Sequence, residues 1–337
     1  MAVGAKGGKG AMAAKAWGTA TDKKVEGEIF FQNDAVSLCL LVQPRAKTMR
    51  VIDFRAGPTP AKRTFVLSLA RREGVEKVFT VVERDEVSTW VKLGFAREAN
   101  IPGFYKRSDA FLLGCSVDAA LRVPMQSERR LVSRVAQAAR PWLAVEQASA
   151  EDAEPVDTTA YDFAEKTLIR AKKLAKELGA ERSLPQVKLA EVKEAAMRKP
   201  LAAAIRAGRA ITAFEPFGRD VGRRYFSLTT RGGFELSASV ESQACFGNAF
   251  VELLVAPRNE GERFGTASAL GTLCERLLAD GTVSCFALAP SDDAGLAMAF
   301  VHNGFRRTGV LQNHLVAGRE RKDAIVFARK LANPADG

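Results

Sequence analysis

The chain has 337 residues, 47% apolar and 26% charged, with 50 Lys and Arg against 39 Asp and Glu for a net charge of +11. That length fits about two domains of ~150 residues each. No uncharged apolar run reaches the ~18–20 residues that span a bilayer, and no apolar stretch follows the N-terminal lysines. A helical membrane protein and a secretory signal are therefore not expected.

Residues 1–24 carry five lysines against one aspartate in a Gly- and Ala-rich setting, too poor in large apolar groups to repay an ordering entropy. They read as a disordered basic tail. Strand and helix signals then alternate. Glu28–Phe31, Ser37–Val42 and Met49–Phe54 are strand-like. Thr59-Pro60 opens a helix that Gly74 stops. Val78–Val82 is a strand, Val87–Leu93 a short helix before Gly94, and Ala110–Cys115 another strand. Residues 146–157 hold five acids and no base, a linker pattern. Between 158 and 209 the balance reverses to twelve Lys or Arg against six Asp or Glu. There Tyr161–Leu178 reads as a helix closed by Gly179, and a second helix runs from Ser183 to a break at Lys199-Pro200. The basic residues fit either a solvated helical face or a polyanion-docking face.

From Ala210 the alternation returns. Ala210–Phe214, Tyr225–Thr229, Phe234–Val240 and Asn248–Val255 are strand-like, with Arg231-Gly232-Gly233 as a turn. Gly265–Ala279 is an amphipathic helix, Val283–Leu288 a strand and Asp293–His302 a helix. Val310–Val316 and Ala324–Ala328 close the set. Leu93-Gly94-Phe95 and Asn303-Gly304-Phe305 hold the same place in the two halves, as an internal repeat would. Boundaries follow at 1–24 (tail), 25–145 (first module), 146–160 (linker) and 161–331 (second module with a basic helical lead-in).

Cys39, Cys115, Cys245, Cys274 and Cys285 are odd in number and scattered among apolar neighbours. They point to buried thiols in a reducing, cytoplasmic setting rather than to disulfides. His302 and His314 are the only histidines, and no CxxC or HExxH spacing occurs, so no metal site is expected. The net charge admits two readings, a polyanion-binding surface or a compositional bias with a need for anionic cofactors.

The strand Phe250–Pro257 followed by Glu262-Arg263-Phe264-Gly265-Thr266-Ala267 resembles the [QR]-x-x-G-x-[GA] segment of the GNAT acetyltransferase superfamily. Glu262 departs from the usual Gln or Arg. A closer resemblance is to the beta-lysine N-acetyltransferase branch. It is carried by Ile101-Pro102-Gly103-Phe104 with Ser108-Asp109-Ala110, and by Gly304-Phe305, Thr308-Gly309, Leu311 and Asn313. The resemblance covers about half the chain. It implies an α/β mixed-sheet, GNAT-like acyl-CoA N-acyltransferase fold, with a truncated first module and a fuller second one. It also implies acetyl-CoA as acyl donor, lying against Leu254 and Val255. The pyrophosphate would sit at Arg263, Gly265, Thr266 and Ala267, where unpaired amides and the helix dipole favour an anion.

An amine with pKa near ~10.4 must lose a proton before it attacks, and Glu252, an acid in an apolar strand, is the candidate base. Asn313 is the candidate substrate contact. The family's usual tyrosine acid is replaced by Trp90 in the first module and Phe300 in the second. His302 is a weaker substitute. The loop Arg55–Pro60 lacks the G-x-[GA] pattern, and its two prolines remove amides. Three functions follow. The first is acetyl transfer to a small-molecule primary amine, with a beta-lysine-like amino acid as its narrower form. The second is a silent module binding acyl-CoA or a protein. The third is a polyanion-binding protein using the basic tail and residues 158–209.

Overall fold

The computed structural model describes residues 27–33, 36–55, 57–106, 108–122, 159–181, 183–219, 221–243 and 245–332. The tail and the acidic linker fall outside these residues, apart from the first two residues of a helix at Thr159.

Apolar runs of strand length build one mixed sheet. The first half supplies β1 (Glu28–Gln32), β2 (Ser37–Gln43), β3 (Thr48–Asp53), β4 (Lys77–Val82), β5 (Ala96–Ile101) and β6 (Ala110–Ser116). Helices α1 (Pro60–Arg72), α2 (Val87–Lys92) and α3 (Val117–Arg122) connect or follow them. The second half opens with α4 (Thr159–Glu181), β7 (Val187–Val192) and α5 (Glu194–Arg206). It continues with β8 (Gly222–Thr230), β9 (Glu235–Gln243), β10 (Asn248–Leu253), α6 (Glu260–Ala279), β11 (Ser284–Pro290), α7 (Ala294–His302), β12 (Arg306–Ala317) and β13 (Glu320–Lys330).

The thirteen described strands lie in the order β1-β2-β3-β4-β6-β5-β12-β13-β11-β10-β9-β8-β7. Read inward from either edge, each half repeats one plan. Antiparallel strands lead to a parallel pair joined by a helical crossover, then to a closing antiparallel hairpin. The parallel pairs are β3 with β4 and β10 with β11. The halves join where β5 meets β12 at Ala99 and Gly309. There a Cβ on residue 309 would collide with the Glu98 carbonyl and Ala99, so only glycine allows the strands to meet.

One face of the second half buries Leu270, Leu273 and Leu277 of α6, Phe300 of α7 and Leu168 of α4. The opposite face shares a core with the first half. Phe79, Ile101 and Leu112 pack with Phe217, Phe250, Phe286 and Leu311, and Phe250 stacks on Phe286 at 4.9 Å. Burial on this scale is worth roughly 25 cal/mol per Å² of apolar surface and binds the halves into one body.

Several expected boundaries are corrected. The segment after Ser183 is strand β7, not helix, and Pro200 lies inside α5 rather than ending it. A proline there removes one donor, which the burial of Met197 and Ala204 against Phe214 and Leu254 offsets. Gly179 does not stop α4. Ala210–Phe214 is an irregular segment holding a single bridge from Ala210 to Val255. Four cysteines are buried as expected, but Cys245 is exposed, and all five are free thiols.

Candidate functional site

Strands β10 and β11 pair only from Asn248–Val251 to Ser284–Ala287. Beyond that they diverge, and Glu252 is the first residue past the last pair. Its register partner on β9 is Ser239, whose hydroxyl donates to the carboxylate at 2.9 Å. The Thr212 hydroxyl donates to the other oxygen, and Arg223 donates at 2.9 Å. Burial raises the Glu252 carboxyl above the usual range, and the Arg223 charge opposes that rise. The net direction is upward, toward the range where a carboxylate can take and return a proton near neutral pH.

Glu252 borders a cavity of about 70 Å³. Its walls include Phe250, Phe217, Leu288 and His314, together with Gln43 at the end of β2 and Arg45 in the turn that follows it in the other half. The site is thus built by both halves. Glu215, also in the wall, has its carboxyl pushed up by burial and accepts the Arg45 amide at 2.9 Å.

A second, larger cleft of about 540 Å³ opens beside the first. It is lined by Arg209, Arg258, Arg263 and Lys322, with Pro257 and the N-terminus of α7 at Asp293–Gly295. Arg209 pairs with Glu262 at 2.9 Å and Lys322 with Asp292. The Arg263 Nε is buried without a hydrogen-bond partner. Against Asp292 and Asp293 in the same lining, the four cations leave the cleft net positive, which suits an anionic ligand. Ile211 lines both spaces and stands between them.

The expected phosphate cradle takes a different form. Helix α6 begins at Glu260 with Asn259 as cap, five residues before the expected start. Gly265, Thr266 and Ala267 therefore lie in its second turn, where amides are spent on the helix ladder. The Glu262 amide is taken by Asn259 at 2.9 Å, and Glu260 and Glu262 add negative charge to the first turn. Gly265 has another reason to be glycine: a Cβ there would lie 2.8 Å from Cε1 and Cγ of Phe234. Thr266 and Ala267 are buried. Of the proposed cofactor residues, Arg263 lines the cationic cleft, while Val255 and Gly265 line another cleft of about 660 Å³ with Asn259, Glu262 and Phe234. Leu254 is fully engaged, its amide donating to Ser237 and its carbonyl accepting from Ile211, both at 2.9 Å. Val255 bridges to Ala210.

Asn313 is exposed and left-handed, with φ of 45°. Its amide donates to Asp323 at 2.7 Å and its carbonyl accepts from Arg321 at 2.6 Å, so its backbone pins a bulge in β12. That bulge turns the next residue, His314, into the cavity wall. The His314 ring meets Phe79 edge-on at 4.7 Å, and its Nδ1 is buried without a partner. Burial, reinforced by Lys77 and Arg321, holds its pKa well below the usual value. Sequence reading passed over this residue, since nothing in its spacing marks the bulge. His302, considered instead, ends α7 and lines neither cavity. Phe300 is buried and stacks on Phe327 at 5.1 Å.

In the first half the matching space is filled from within. Lys62 is 1% exposed. Its ammonium pairs with Asp53 and donates to the carbonyls of Arg55 at 2.7 Å and Gly57 at 2.9 Å. The loop whose prolines cost it amides thus also turns two carbonyls onto a resident cation, which disfavours phosphate there. On α4, Lys166, Arg170, Lys172, Lys173 and Lys176 are exposed, as a solvated face requires. Among the described residues no helix is long and apolar enough to cross a membrane.

No protein-family model matches the chain, and no curated protein matches it. Among solved structures it is similar to the ribosomal-protein-S18-alanine N-acetyltransferase from Escherichia coli. There the identity is 18% and the TM-score 0.33, over 45% of this chain and 98% of that one. It is also similar to the spermidine N-acetyltransferase from Vibrio cholerae in complex with CoA and spermine. That match has 12% identity and a TM-score of 0.36, over 44% of this chain and 97% of that one.

Proposed function

We propose that the chain is a GNAT-type N-acetyltransferase that moves an acetyl group from acetyl-CoA to a primary amine of a small molecule. A beta-lysine-like amino acid is the narrower candidate for the acceptor. The observation that carries this reading is Glu252: a largely covered, hydrogen-bonded carboxylate just past the last β10–β11 pair, on a small cavity beside a cation-lined cleft. Arg258, Arg263 and Lys322 would hold the anionic part of the donor, which supplies the acetyl thioester when bound. Glu252 takes the ammonium proton of the acceptor, while Ser239, Thr212 and Arg223 fix the carboxylate in position. Phe250, Phe217 and Leu288 exclude water.

A second reading is favoured by one observation. The Leu254 carbonyl is occupied by Ile211, and Ile211 divides the cavity from the cleft. A module locked in that arrangement binds acyl-CoA or a partner without turnover.

Thermal shift with acetyl-CoA and turnover with a panel of primary amines separate the two. Ligand at ~100 times its Kd adds about 2.7 kcal/mol of stability. Transfer should fall ~10²–10⁴-fold in Glu252→Gln at neutral pH and recover in part as pH rises toward the acceptor pKa. Stabilisation without turnover of any amine would move the assignment to the silent module.

A further inference from the structure

In the first half Lys62 fills the matching place, yet that half reaches into the second. Arg50 donates to the Phe217 carbonyl and Lys77 to the Gln312 carbonyl at 2.6 Å, and a further contact lies beside the candidate base. The turn between β2 and β3 sets Arg45 against residues 209–216. Its backbone amide donates to Glu215 at 2.9 Å. Its guanidinium donates to the carbonyls of Thr212 at 2.9 Å, Ala210 at 2.8 Å and Gly318 at 3.3 Å. Beside it the Gln43 amide donates to the Pro216 carbonyl at 2.9 Å.

The segment so held has little regular structure. Ile211 donates to Leu254, and Ala210 accepts from Gly318, both at 2.9 Å. Its ends are left-handed, with φ of 63° at Gly208 and 58° at Phe214. Phe214 is a bulky residue in a conformation that persists only where its surroundings impose it. Within the segment, the Thr212 hydroxyl accepts from the Phe214 amide at 2.9 Å and donates to Glu252. A chain of contacts thus runs from the first half to the candidate base: Arg45, the Thr212 carbonyl, the Thr212 hydroxyl, the Glu252 carboxylate.

We infer that Arg45 is a positioning residue, through which the first half holds residues 209–216 against β10 and keeps Thr212 on Glu252. This rests on the reading of Glu252 as the base. The planar guanidinium serves three carbonyls from two stretches of chain, which a lysine ammonium on a flexible stem does not reproduce. Freed from Arg45, the segment opens at Gly208 and Phe214, and Glu252 loses one of its stabilising donors. A carboxylate with fewer donors is harder to ionise, so the acidic limb of the rate profile moves to higher pH.

The test is amide hydrogen exchange on the full chain, with pH–rate profiles alongside. Arg45→Ala and Arg45→Lys should each speed exchange of the Ile211 and Phe214 amides at least about tenfold, with α6 and β9 unchanged. Both should lower kcat and shift the acidic limb upward, with KM for acetyl-CoA within about twofold of wild type. Thr212→Val should reproduce the shifted limb. Unchanged exchange at Ile211 and Phe214 in both Arg45 variants overturns the inference. Faster exchange with an unshifted limb, in a protein that Glu252→Gln inactivates, removes the link through Thr212. Full activity of Glu252→Gln instead removes the base assignment, and the exchange result still decides whether Arg45 holds the segment.

Discussion

Gly265 carries two explanations, and one substitution separates them. As part of a phosphate cradle, residue 265 would face solvent or ligand, and an added methyl would leave stability unchanged or improved. In the structure it is an interior residue of α6, packed against the Phe234 ring. Gly265→Ala then sets two effects against each other. Replacing glycine by alanine inside a helix gains about 1 kcal/mol. Forcing a methyl against the ring, near its root rather than its flexible end, costs about 1–3 kcal/mol. The net expectation is a loss of about 0–2 kcal/mol, read by urea denaturation at constant m. Phe234→Ala removes the obstacle. In that background the same Gly265→Ala change should stabilise by about 1 kcal/mol, so the sign reverses between the two arms of the cycle. A stabilising Gly265→Ala in the wild-type background would refute the packing account and return Gly265 to the ligand.

Lys62→Met strands Asp53 and two carbonyls in a buried place. It should cost about 3–5 kcal/mol in chemical denaturation, and the Asp53→Asn, Lys62→Met double variant should lose less. His314, with its folded pKa below the ordinary 6.5, contributes stability above pH 6.5 that is lost as pH falls, at about 1.4 kcal/mol per unit. Denaturation midpoints followed from about pH 7 to pH 5 should show this slope in wild type and a shallower one in His314→Asn.

The elements that could be read from sequence were those whose signal is local. Asn248–Leu253 is an apolar run with one acid, and the acid does fall at the end of a parallel pair. Most of the alternation of strands and helices follows from periodicity, apart from β5, β7 and the irregular Ala210–Phe214, while the mixed-sheet class came with the GNAT resemblance. What escaped depends on contacts between distant parts. The start of α6 was set at the glycine, because glycines in a G-x-A string invite a loop reading. Yet Asn259, three residues before Glu262, is the better start signal, an asparagine cap whose side chain takes the Glu262 amide. Arg45, His314 and Lys62 carry no motif. Arg45 matters because a hairpin of one half meets a strained segment of the other. His314 matters because Asp323 and Arg321 hold a bulge that turns it inward. Lys62 matters because a loop in the first half presents carbonyls where a phosphate-binding loop would present amides. The same plan of strands, used twice in one sheet, thus yields one half with an open site and another filled by its own lysine. The filled half still meets the open one through side chains that reach across, Arg45 and Arg50 among them.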